Sequence, residues 1–119
     1  MECNMIETRL TIIESPFATD RQLIYLKRCL RDSWNRGELP FASHAFFTLF
    51  LDEDNSLERK QGIHAGYKFY AFAGRAAFYY DFGMSPGMDL ATDFLKENYP
   101  DLPRTIRLIG QKEGDHDFI

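Results

Sequence analysis

Cysteine is scarce: Cys3 and Cys29 are the two in 119 residues. That is too few for a disulfide framework, and Cys29 falls within a helical pattern, so both read as reduced thiols. Apolar runs are short. No stretch approaches the roughly 18 residues of a spanning helix, and no secretory hydrophobic segment appears, so the expected setting is the cytoplasm, away from any membrane. Clustered basic charge is also missing. Fourteen Lys and Arg stand against eighteen Asp and Glu, a formal net charge of −4, and no segment concentrates cations. This argues against a sequence-independent grip on extended nucleic acid. A single nucleotide stays open, because backbone amides can hold it. Metal-ligand spacing is absent too: His44, His64 and His116 fit no ligand pattern and there is no Cys pair, so no metal is expected. His116 between Asp115 and Asp117 belongs to a polar tail and carries no metal expectation.

What is present suffices for one domain over residues 1–119, with hydrophobic residues at 45% to build a core and charged residues at 27% to solvate its surface. The segment from about residue 111, "QKEGDHDFI", is polar until Phe118 and Ile119 and reads as a mobile tail.

The chain alternates strand and helix signals. "TRLTIIE" (8–14) has the β-branched run of a buried strand, and "SPFATD" leaves it as a loop. Thr19 or Asp20 caps a helix from about Arg21 to Arg36, whose Leu23, Leu26, Leu30 and Trp34 recur at helical steps and whose end is marked by Gly37. A short strand or loop near Leu39 to Ser43 precedes a helical turn. Asn55 with Glu58 resembles a capping box opening a helix that runs to Gly74. Gly62 and Gly66 inside it each cost roughly 1 kcal/mol relative to Ala, and their spacing permits close approach of a strand, a helix or a ligand. "RAAFYYD" (75–81) is a buried strand, Ser85 and Pro86 open a helix to about Asn98, and "TIRLIG" (105–110) is a last strand. This order predicts a layered α/β domain with a mainly parallel sheet.

"YYDFGMSPGMDLATDFL" (79–95) concentrates the chemistry. In a parallel sheet, ligands collect beyond the carboxyl ends of strands, where a following helix presents free N–H groups and the positive end of its dipole. Gly83 and Gly87 let a ligand or backbone come close. Ser85 caps the helix or donates to a phosphate or sugar hydroxyl, and Asp89 sits in the first turn, where the dipole favours its ionised form. Such a carboxylate can attack an electrophilic carbon. The plain alternative is a chain reversal with an acidic residue stabilising a helix start.

"SPGMDLATDF" after Asp81, with "IIESPFATDRQLIYLKRCL" earlier, resembles the nucleoside 2-deoxyribosyltransferases, and with "rGELPFASH" the chain also looks like small deoxyribosyltransferase-like proteins, many from phages. The resemblance implies a three-layer flavodoxin-like or Rossmann-like fold, a homo-oligomer, and N-glycosidic bond cleavage or (deoxy)ribosyl transfer by double displacement, with no cofactor. On matching positions, Asp89 is the nucleophile in place of the family's Glu. Asp81 contacts the sugar or assists the departing base, Pro16 and Phe17 line the pocket, and the Gly83, Ser85, Gly87 and Met88 bend holds the substrate. A second reading is a non-catalytic module that sequesters a nucleotide-like signal or docks on a host protein; the shorter Asp side chain favours it.

Other candidates each have a bland counterpart. His44 protonates a leaving base, or is a partly buried histidine bonded to backbone. Glu58 and Arg59 pair across the site or bind phosphate, or simply solvate a helix start. Arg75 and Arg107 hold a phosphate, or are solvated. Tyr79 and Tyr80 alternate across a strand, one buried and one facing out.

Overall fold

The computed structural model describes residues 7–16 and 18–110; the expectations for Phe17 and for the tail from 111, including Phe118 and Ile119, lie outside them. Four strands, β1 (Leu10–Glu14), β2 (Leu39–Phe41), β3 (Ala73–Tyr79) and β4 (Arg104–Arg107), form one sheet in the order β2-β1-β3-β4. Every pairing is parallel, so the expected sheet type holds. Helices α1 (Asp20–Asn35), α2 (Ser43–Thr48), α3 (Ser56–Tyr67) and α4 (Pro86–Asn98) connect the strands.

Strand alternation divides the core in two. Ile12, Ala76 and Phe78 point to one face and meet Met88, Ala91 and Leu95 of α4. Ile13, Ala77 and Tyr79 point to the other and meet Tyr25, Leu26 and Cys29 of α1. A sheet covered on both faces needs apolar residues at consecutive positions, and Ile12 and Ile13 are both fully buried. The result is a three-layer α/β domain of flavodoxin-like or Rossmann-like architecture. No helix among the described residues is long and apolar enough to cross a membrane.

Local signals explain most element ends. Thr19 Oγ1 accepts the Gln22 amide at 3.1 Å to start α1, and Gly37, at φ 86°, ends it. Ser85 Oγ accepts the Met88 amide and Pro86 takes the first position of α4. Three expectations are corrected. The buried face of α1 is Tyr25, Leu26, Cys29 and Ser33, while Leu23 and Trp34 are exposed. The long helix stops at Tyr67, passes into a 3₁₀ turn (Lys68–Phe72), and gives way to β3, so Gly74 lies in a strand. There a Cβ would come within 3.2 Å of the Arg9 Cβ. Finally, Asn55 caps Leu57 and Glu58, but Glu58 reaches the Asp52 amide at 2.7 Å instead of closing the box on Asn55.

Candidate functional site

The strand order reverses at β1. The chain leaves β1 through α1 to β2 on one side, then crosses back through α2 and α3 to β3 on the other. Between the carboxyl ends of β1 and β3 the outgoing segments diverge, and a crevice opens there in such sheets. A cleft of about 510 Å³ occupies this position. That volume lies within the range of roughly 300–1,000 Å³ typical of small-molecule pockets.

Four elements build most of the wall. The end of β1 gives Glu14, Ser15 and Pro16; α2 gives Ser43, His44 and Phe47; α3 gives Glu58, Arg59, Gly62, Ile63, Gly66 and Tyr67; the start of α4 gives Ser85 to Met88. The two α3 glycines account for the tight seating of α2. A Cβ on Gly66 would lie 3.0 Å from Ser43 Oγ, and one on Gly62 would lie 3.2 Å from Leu51 Cδ1. Of the partners their spacing allowed, a helix, α2, is found against them, and both glycines also line the cleft.

Glu14 is the buried acid of this cleft. It ends the apolar run of β1 and is 9% exposed. The Tyr70 hydroxyl donates to its carboxyl. Burial pushes Glu14 up to about 7, against the lowering effect of the Tyr70 hydrogen bond, so its proton is in play near neutrality. Tyr70 is held in turn by an aromatic stack: Tyr67 lies on Phe94 with ring centroids 4.2 Å apart, and both rings face Tyr70 at 6.4 and 6.0 Å. Burial and the Glu14 charge raise the Tyr70 hydroxyl well above its ordinary value, which keeps it a donor.

Residues 9–101 match the sequence model of DUF7768, a domain of unknown function. The chain belongs to that family. No curated protein and no solved structure matches it.

In this DUF7768 domain the candidates from sequence divide clearly. Pro16, His44, Glu58, Arg59, Ser85, Gly87 and Met88 share the one cleft. Asp89 is exposed on the first turn of α4 and is not part of the cleft wall. Asp81 is also outside the wall. Its carboxylate accepts the Tyr25 hydroxyl at 2.6 Å and the amides of Ile109 and Gly110 at 3.0 and 2.9 Å, fastening the exit of β3 to the segment after β4. Gly83 serves the turn: at φ 84° it donates to the Tyr80 carbonyl, and nothing lies within 4 Å of the place its Cβ would take.

His44 also differs from expectation. Burial lowers its imidazole to about 4, so it is neutral at pH 7 and carries no proton to give from a cationic form. Arg75 and Arg107 are engaged away from the cleft, Arg107 with both carboxylate oxygens of Glu38 at 2.8 and 2.7 Å, and Arg75 with Glu7 at 2.6 Å. Of the two tyrosines, Tyr79 is the buried one and Tyr80 faces out, 38% exposed. Sequence reasoning missed Glu14 and Tyr70. The signal for Glu14 was the acid that ends "LTIIE", at the carboxyl end of a buried strand.

Proposed function

We propose that the cleft binds a nucleoside or nucleotide and that the protein cleaves its N-glycosidic bond, releasing the base to water or passing the sugar to an acceptor. The observation that carries this reading is Glu14, a desolvated carboxyl with its proton near balance at pH 7, at the strand-end crevice where α/β sheets collect ligands. Apolar wall residues such as Phe47, Leu51 and Ile63 suit a flat base, while Ser15, Ser43 and Ser85 offer hydroxyls to a sugar. In its neutral form Glu14 gives a proton to the departing base nitrogen. The carbon–nitrogen bond breaks with its electron pair going to the base, and water or a second base adds to the anomeric carbon, losing its proton to the Glu14 carboxylate and restoring the acid. The resemblance to deoxyribosyltransferases supports the reaction class and also implies a homo-oligomer, which sedimentation velocity checks. A cytoplasmic setting agrees with the free thiol of Cys29.

The position of Asp89 outside the wall favours a second reading, in which the chain kept the pocket and sequesters a nucleotide-like ligand without turnover. The experiment incubates the protein with deoxynucleosides, ribonucleosides, their monophosphates and NAD, following free base by chromatography and unfolding temperature on the same samples. Base release that falls at least about 100-fold in Glu14→Gln and survives in Asp89→Asn supports the acid role. Release lost in Asp89→Asn but kept in Glu14→Gln transfers the chemistry to Asp89. Thermal stabilisation with no base release establishes the sequestering module.

A further inference from the structure

The mouth of the cleft is charged asymmetrically. Asp52 and Glu53, on the connection between α2 and α3, are exposed residues of the wall, and Glu58 stands beside them with its carboxylate on the Asp52 amide. Arg59 is the one Lys or Arg among the described wall residues. His44 adds no positive charge at neutral pH. The start of α4, which in such sheets is the usual anion seat, has most of its donors committed, the Gly87 amide excepted. Pro86 has no N–H, the Ser85 amide goes to Met88 Sδ at 3.5 Å, the Met88 amide to Ser85 Oγ at 3.2 Å, and the Asp89 amide to the Ser85 carbonyl at 3.0 Å. The Asp89 carboxylate already occupies the favourable end of the dipole.

We infer that the connection between α2 and α3 acts as a charge filter, in which Asp52 and Glu53 turn away ligands carrying a phosphate and admit uncharged ones. This rests on the nucleoside reading of the cleft and narrows it. A phosphate dianion entering the mouth meets like charges without a compensating pair of arginines, and the helix end offers it little beyond the Gly87 amide; an uncharged sugar meets no such repulsion. Because Asp52 and Glu53 are exposed, their effect is screened by salt.

The test compares the four common 2′-deoxynucleosides with their 5′-monophosphates by calorimetry, on the full chain and on Asp52→Asn/Glu53→Gln. Both substitutions are on the surface and keep side-chain shape. The expected result is that each nucleoside that binds does so at least about tenfold more tightly than its monophosphate, with the ratio shrinking in the double variant and in high salt. A monophosphate that binds as tightly as its nucleoside, with affinity lost in Arg59→Ala, overturns the filter while leaving the cleft a nucleotide site. A ratio unmoved by the double variant removes these two residues from selection. Binding of neither set overturns the nucleoside reading itself, and the filter with it.

Discussion

Glu14 and Glu38 are both buried, 9% and 6% exposed, yet they hold their protons in opposite senses. Burial by itself raises a carboxyl, and at Glu14, where the opposing influence is the Tyr70 hydroxyl, burial wins and the group rises to about 7. At Glu38 burial is outweighed. Arg107 meets both oxygens, the Ser33 hydroxyl donates at 2.7 Å, and Arg75 stands at 3.0 Å, so the carboxyl falls below its ordinary range. The same side chain becomes a fixed anion in one place and a proton carrier in the other. What separates them is the charge of the partner. Glu38 ties the start of β2 to β3 and β4, whereas Glu14 faces an open cavity with the Tyr70 hydroxyl as its hydrogen-bond partner. A scaffold carboxylate is neutralised by its fold; a carboxyl left desolvated in a crevice is available to a ligand.

The largest effect is expected from breaking the Glu38 side. Arg107→Ala leaves a buried carboxylate with one arginine instead of two. It should cost about 3 kcal/mol at pH 7, because the side chains of the pair are 9% and 8% exposed and removing one partner strands the other. Since Glu38 is lowered in the folded state, its contribution is present above the unfolded value near 4.5 and is lost as pH falls through the folded value. The gap between wild type and variant in urea unfolding should therefore be widest at neutral pH and close in acid. A loss below about 0.5 kcal/mol would reduce the pair to an ordinary surface bridge.

Glu14→Gln should move stability the other way. The folded value of about 7 lies above the unfolded 4.5, so Glu14 is stabilised as the neutral acid below about 4.5 and stability declines as pH climbs to about 7. Gln keeps the shape and cannot ionise. The variant should gain up to about 3 kcal/mol at pH 8 and nothing at pH 4, the upper figure being the linkage between the two values. A variant that loses both base release and stability at pH 8 would mark Glu14 as a structural carboxylate like Glu38.

Much of the fold was legible because its signals are local. The paired Ile12 and Ile13, the Thr19 and Ser85 caps, Pro86 and Gly37 each act within a few residues, and all stand where the pattern put them. The α1 face was misread because its buried stripe includes Tyr25, Cys29 and Ser33. Two of these are polar and buried with partners outside the helix: Tyr25 donates to Asp81, far along the chain, and Ser33 to Glu38, five residues on. Gly74 looked like a helix terminator because no local signal marks a 3₁₀ turn running straight into a strand. At the site, spacing could bring Ser85, Gly87 and Met88 to the strand ends, but not decide among the acids. Asp81 is tied down by the amides of Ile109 and Gly110, which follow a strand that joins the sheet from far along the chain, and Glu14 acquires its shift only once α3 and the 3₁₀ turn bury it.

The smallest change, Tyr70→Phe, sharpens the comparison most. It removes the hydroxyl that donates to Glu14 while leaving the ring in its stack against Tyr67 and Phe94. That hydrogen bond lowers Glu14 against the larger effect of burial. Without it the carboxyl should titrate above 7, followed by its carboxyl carbon signal in NMR, and the protein should lose about 1 kcal/mol, the usual net worth of one hydrogen bond. In the Glu14→Gln background the same change should barely respond to pH, since no ionisable partner is left. A downward shift of Glu14 in Tyr70→Phe would mean that the hydroxyl holds the neutral acid and not the carboxylate, and would reverse the sense in which Tyr70 tunes the group. If the shift is upward, then the Arg107 pair and the Tyr70 hydroxyl are two strengths of one device: each opposes burial, and only the charged one is strong enough to win.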